Sequence, residues 1–158
     1  SLEELPLDPI IRMAVAHYQF EAIHPFSDGN GRTGRILNVL MLCEAGLLKL
    51  PLLYLSGEII GTKDEYYRRL LAVTSDGDWE GWILYMIEQV RRSGERTLEL
   101  VNALSELDSE LVEVTRTVTG TANSDLVAVL MEQPYARIRN VTALCNRAQV
   151  WPRAVLYQ

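Results

Sequence analysis

Twelve consecutive residues, His24-Pro25-Phe26-Ser27-Asp28-Gly29-Asn30-Gly31-Arg32-Thr33-Gly34-Arg35, gather the types that could do chemistry in this chain. Glycines flank Asn30, so the backbone there is free to take positive φ and to approach a ligand closely. Apolar periodicity begins directly afterwards, which sets the turn at a helix N-terminus, where unpaired N–H groups and the helix dipole attract an anion. Arg32 and Arg35 stand three apart in the first turn of that helix and share a face. Cations at this end oppose the dipole, so stability alone does not account for them. A polyphosphate does, because it can use the amide nest and both guanidinium forks together. Asp28 is the one acid in this basic setting, and its hard carboxylate oxygen suits Mg²⁺ shared with phosphates. Histidine titrates near neutral pH, so a neutral His24 ring can accept a proton from an attacking hydroxyl. His17 lies among apolar helical neighbours and reads as a structural, hydrogen-bonding residue.

The elements that must hold this turn follow from caps and periodicity. Asp8-Pro9 is a cap and first-turn proline opening a helix to about Ile23, and Pro25 ends it. A second helix runs from Arg32 or Thr33 to about Glu44, with Gly46 closing it. Ile36, Leu37, Val39, Leu40, Met41 and Leu42 make it apolar nearly all round, so it is expected to be a buried central helix. Pro51–Gly57 reads as an extended connection, and Thr62-Lys63-Asp64-Glu65 as a capping box opening a helix with Tyr66, Tyr67, Leu70 and Leu71. After the Asp76-Gly77-Asp78 turn, one helix carries Trp79 to Val90 and a separate long one starts near Glu95. In the latter, Leu100, Leu104, Leu107, Leu111, Val114 and Val118 form a seam that either packs on the preceding helix or joins a homodimer. Thr119–Asn123 is a linker, followed by a helix over Ser124–Glu132 and short helical patterns at 142–146 and 150–157. Strand signals are almost absent. The expected fold class is all-α, with a core over 1–118 and a small module over 124–158.

Composition bounds the function from outside. With 158 residues, 48% hydrophobic and 23% charged, the chain can bury one domain's core plus a small appendage. A net charge of −6 argues against a protein that coats nucleic acid or binds anionic membranes. Cys43 and Cys145 lie far apart in apolar helical settings and read as reduced core residues, not a disulfide or metal site. No secretory leader is evident, and the apolar runs are short and interrupted, so no membrane span and a cytoplasmic location are the default expectations. The segment from Pro134 onward carries Arg137, Arg139, Arg147 and Arg153 with no acid. Its helical spacing is helix-turn-helix-like, so DNA binding stands beside a plain packing module as its reading.

The string His-Pro-Phe-x-Asp-Gly-Asn-Gly-Arg-x-x-Arg at His24–Arg35 resembles the signature of the Fic (filamentation induced by cAMP) family without departure. The resemblance extends through His17–Ile23 before it and through Leu53–Ser56 and Tyr66-Tyr67 after it, towards the bacterial adenylyltransferase branch. It implies a Fic-type helical bundle with a winged-helix-like C-terminal segment. It also implies transfer of AMP from ATP to a Tyr, Ser or Thr hydroxyl of a target protein. His24 would be the general base and Asp28 the Mg²⁺ ligand. Asn30 would hold the α-phosphate with help from the Gly29 and Gly31 amides, and Arg32 would orient the phosphates. Arg35 would bind the γ-phosphate; Gly34 belongs to the same nucleotide-binding run, and Tyr66 and Tyr67 match positions lining an adenosine pocket. Removal of AMP, transfer of phosphate or another nucleotide, and a DNA-binding regulator are the alternatives. Similar proteins carry a β-hairpin flap upstream of the motif, and many carry an inhibitory Ser/Thr-x-x-x-Glu-Gly/Asn helix. Only 23 residues precede His24 and they read as one helix, so both features are expected to lie outside this sequence.

Overall fold

The computed structural model describes residues 7–122 and 124–132, together with Tyr135 and Val141. Six helices follow in order among them: α1 Pro9–Ile23, α2 Asn30–Glu44, α3 Leu55–Gly61, α4 Lys63–Asp76, α5 Trp79–Thr119 and α6 Ser124–Glu132. No strand occurs among the described residues, so the expected all-α class holds. The chain resolves into two compact units that divide within α5, one up to Glu99 and one from Leu100. The candidate module patterns at 142–146 and 150–157, and Cys145, lie outside the described residues.

In the first unit α1 begins where its cap demands, with the Asp8 carboxylate accepting from the Ile10 N–H at 2.8 Å. Its buried face carries Met13, Ala14 and His17. Trp82 of α5 sits at the centre of the core, fully buried, and donates its indole N–H to the Ala14 carbonyl at 2.9 Å. The His17 ring stacks on Trp82, with 6.0 Å between centroids and 3° between planes. Tyr66, Tyr85, Met86, Leu42, Leu55 and Ile59 complete the cluster. Removing the buried Trp82 ring would cost about 3–5 kcal/mol.

Four local expectations are corrected. Helix α2 is not buried all round: it buries Asn30, Gly34, Asn38 and Leu42, while Ile36, Leu37 and Leu40 are exposed. The face turned to α1 is the polar and small one, because close helix approach needs small residues more than apolar ones. The 51–57 stretch is extended only in part, since α3 begins at Leu55. Thr62 does not cap α4 with its side chain; its hydroxyl donates back to the Glu58 carbonyl at 2.9 Å and meets the Tyr85 hydroxyl at 2.8 Å. Finally, α5 is one helix of 41 residues, continuous through Ser93-Gly94 where two helices are expected from the sequence. In the second unit Leu100, Leu104, Leu107, Val114 and Val118 are exposed, while Thr115, Val127 and Val129 are buried.

Candidate active site

Helix α1 stops at His24 because Pro25 follows. The expected exclusion from the right-handed α region is met by a left-handed turn: His24 has φ 49° and ψ 57°, and its N–H still reaches the Phe20 carbonyl at 3.0 Å. Among the described residues it alone combines a side chain with positive φ. A left-handed conformation costs a side-chain-bearing residue roughly 1–2 kcal/mol, so the fold holds this ring in place against a local preference.

The turn after His24 is tied by Asn30. Its Oδ1 accepts from the Phe26 N–H at 2.9 Å and its Nδ2 donates to the Phe26 carbonyl at 2.6 Å. Asn30 is buried, and while both polar atoms of its side-chain amide serve the Phe26 backbone, the residue is among those lining the cleft. Gly29 takes φ 85° and ends the turn, its carbonyl accepting the first helical bond from Thr33 at 2.9 Å. No side chain caps α2, so the first-turn N–H groups at Asn30, Gly31 and Arg32 are left for an incoming anion.

His24, Ser27, Asp28, Gly29, Asn30, Gly31, Arg32 and Arg35 line one wall of a cleft of about 380 Å³. Ile59 and Ile60 of α3 and Lys63, Tyr66 and Tyr67 of α4 form the other. Pockets that hold small molecules and cofactors run from about 300 Å³ upward, so the size suits a nucleotide. Asp28 and Arg32 pair with each other along that first wall at 3.2 Å, both strongly exposed. Arg35 is half-buried, and a side chain at Gly31 would place its Cβ only 3.0 Å from the Arg35 Nη1. The two sides therefore differ in kind: two arginines and free amides face a mainly aromatic and aliphatic surface that carries one cation, Lys63.

The sequence-derived site residues meet here with two qualifications. Gly34 does not line the cleft. It is buried where α1 crosses α2, and a Cβ there would lie 2.9 Å from the His17 Cε1 and 2.7 Å from the Glu21 Oε1. Its contribution is to let the helices close. Tyr66 turns its hydroxyl into the core, 3.1 Å from the His17 Nε2, and gives the cleft only part of its ring. Tyr67 is half-exposed, packs edge-on against Tyr66 at 5.2 Å, and has the Lys63 ammonium 5.8 Å from its ring centroid. Ile59, Ile60 and Lys63 were not singled out from sequence. Ile59 and Ile60 lie on α3 and Lys63, Tyr66 and Tyr67 on α4, so no single helical period in the sequence joins them. His17, as expected, is structural and buried.

Burial shapes the titrations behind the cleft. It holds the His17 ring down at about 4, opposed by the Gly34 backbone and reinforced by the Arg35 charge. It also raises the Glu21 carboxyl above its ordinary range, against the attraction of His24 and Arg35. The Tyr66 hydroxyl is likewise pushed up by burial and by the Glu21 charge, so it stays a neutral O–H. Glu21 is a site-adjacent residue that periodicity did not reveal, since a lone acid near a helix end is ordinary.

No cluster of three or more His, Cys, Asp or Glu side chains able to hold a metal occurs among the described residues. Asp28 is a single exposed carboxylate beside anion donors. A single carboxylate beside anion donors fits a Mg²⁺ ion whose remaining ligands are phosphate oxygens and water, and does not make an all-protein cage. No helix among the described residues is long and apolar enough to cross a membrane.

A model of the Fic/DOC family matches residues 2–42. The chain is 37% identical over 112 residues to protein adenylyltransferase fic-1 of Caenorhabditis elegans, covering 68% of this chain and 21% of that protein. It is 36% identical over 94 residues to protein adenylyltransferase Fic of Culex quinquefasciatus, covering 60% and 17%. With the Fic protein of Drosophila willistoni the identity is 32% over 114 residues, covering 72% and 21%. The chain thus spans about a fifth of the length of these relatives.

Proposed function

We propose that this chain, which belongs to the Fic/DOC family, forms the catalytic core of a protein adenylyltransferase. In this reading the amides at the start of α2 and the arginines beside them receive the phosphates of ATP, and Tyr67 with Ile60 receives the base. The His24 ring takes the proton of a target Tyr, Ser or Thr hydroxyl as its oxygen bonds to the α-phosphorus. The bond from that phosphorus to the bridging oxygen breaks, pyrophosphate leaves, and His24 returns its proton to solvent. Bound Mg²⁺ would supply charge neutralisation on the phosphates, with Asp28 as its protein ligand. Arg32 is then released from Asp28 to the phosphates. Asn30 acts chiefly by fixing the turn through Phe26. Positioning and charge stabilisation carry most of the rate in such transfers. With Cys43 and Cys145 read from sequence as reduced thiols, we propose a cytoplasmic location.

The observation that carries the proposal is the uncapped N-terminus of α2 sharing one cleft with a histidine held in a left-handed turn. The full protein carrying this chain, incubated with Mg²⁺ and ATP labelled at the α-phosphate, should label a protein in host lysate, and a His24→Ala variant should not. Labelling from the γ-phosphate alone would replace AMP transfer with a kinase reading.

A further inference from the structure

Two complementary atoms behind the cleft are buried without a partner: the Glu21 Oε1 and the Arg35 Nε. They belong to facing helices, Glu21 to the last turn of α1 and Arg35 to the second turn of α2. Both side chains flank Gly31, whose Cβ position lies 3.0 Å from the Arg35 Nη1 and 3.9 Å from the Glu21 Oε1. The absence of side chains at Gly31 and Gly34 opens the seam through which they face one another. The charged and titratable groups around Glu21 are His17 and His24 on its own helix, Arg35 on α2 and Tyr66 on α4. Of these, His17 is held neutral by burial, Tyr66 keeps its proton, and His24 is exposed to solvent. Arg35 is the permanent cation, and its planar fork can serve two anions on two edges.

We infer that Glu21 is a positioning residue for Arg35. When a polyphosphate fills the cleft, the Arg35 Nε donates to the Glu21 carboxylate, and the terminal Nη1 and Nη2 edge is turned to the far end of the phosphate chain. A buried polar atom left unpaired is unfavourable, and one bond between these two relieves both. A guanidinium pinned at Nε also loses less freedom on meeting a phosphate than a free one. The inference rests on the nucleotide reading of the cleft but not on AMP being the group transferred.

The test is binding of Mg²⁺–ATP and of AMP to the full protein by calorimetry, for wild type, Glu21→Gln, Glu21→Ala, Arg35→Ala and the double variant Glu21→Ala/Arg35→Ala. Loss of one charge-assisted hydrogen bond should weaken ATP about tenfold or more in Glu21→Ala. Glu21→Gln, which keeps an acceptor but no charge, should fall between Glu21→Ala and wild type. AMP lacks the phosphates that reach Arg35 and should change by less than about twofold. In the Arg35→Ala background, Glu21→Ala should cost nothing further for ATP. A structural role for Glu21 would weaken both nucleotides alike in either background, and that result overturns the inference. Equal ATP affinity in Glu21→Ala and wild type overturns it too. Wild type that fails to bind ATP refutes the nucleotide reading itself, and this inference with it.

Discussion

Lowering the pH should destabilise the first unit through His17 specifically. The ring is buried, stacked on Trp82 and bonded to the Tyr66 hydroxyl, and its folded-state value lies at about 4 against 6.5 when unfolded. The folded state therefore binds its proton less readily, and stability falls as pH drops below 6.5, with the loss complete near pH 4. At roughly 1.4 kcal/mol per pH unit, that interval amounts to about 3 kcal/mol. Against total stabilities of about 5–15 kcal/mol, such a loss is large. Glu21 acts with the opposite sign, because its raised value makes protonation in the folded state favourable as pH falls. The comparison must therefore be made with a variant that keeps Glu21. His17→Gln retains an amide near the Nε2 position and cannot ionise. Urea unfolding followed by tryptophan fluorescence, at pH steps between 7.5 and 4, should show wild type losing about 3 kcal/mol more than the variant. Parallel pH dependences in the two proteins would refute the reasoning, as would a His17 ring resonance titrating near 6.5.

Three further outcomes follow from the cleft and its support. Gly34→Ala should destabilise by about 1–3 kcal/mol in chemical denaturation, because the new Cβ meets the rigid His17 ring at 2.9 Å as well as the Glu21 end. Asp28→Asn should leave stability within about 0.5 kcal/mol of wild type, since its pair with Arg32 is exposed. The same variant should lose the Mg²⁺ dependence of ATP binding, measured by titration with and without the ion. Asn30→Ala should cost about 2 kcal/mol through its two bonds to the Phe26 backbone. Unchanged stability with weakened ATP binding would instead give the Asn30 amide to the phosphate.

What could be read from sequence here was whatever short-range chemistry decides. Asp8-Pro9 starts α1, Pro25 stops it, and glycines at 29, 46 and 77 take the positive φ that closes a turn or a helix. The clustering of His24, Asp28, Arg32 and Arg35 in one cleft follows from such local rules, because a single turn contains them all. The opposite wall did not follow. Ile59, Ile60 and Lys63 reach the cleft through packing between elements distant in sequence, and α3 is too short for periodicity to declare it. The burial of α2 is hidden for a related reason. Counting apolar residues makes the helix look buried on every side, whereas approach to α1 is governed by Gly34, whose lack of a Cβ admits His17 and Glu21. Thr62 had every local mark of a cap, but its hydroxyl is drawn to Tyr85, a partner 23 residues away. Ser93-Gly94, a weak local break, does not interrupt α5, since one glycine costs a helix only about 1 kcal/mol.

Several features of the α1–α2 turn are individually unfavourable, and they sort by whether an anion relieves them. An uncapped helix start costs about 1 kcal/mol, and cations at that end add a few tenths each. Both costs fall when a phosphate takes the free amides and the guanidinium edges; that relief enters the ligand's affinity, so ligand binding should raise the stability of this unit by the amount that affinity and concentration set. The left-handed turn at His24 is different. No anion changes its φ, and the His24 N–H is already satisfied by Phe20. What that conformation achieves is placement: it turns the ring off the axis of α1 and into the cleft that the α2 amides face. On the function proposed above, a glycine at 24 would relax the turn yet remove the proposed base, whereas a capping side chain at 29 would steady α2 yet occupy the amides. The instability at each position would then be tied to a separate task, proton acceptance at His24 and phosphate binding at the start of α2, and relieving either would cost its own task.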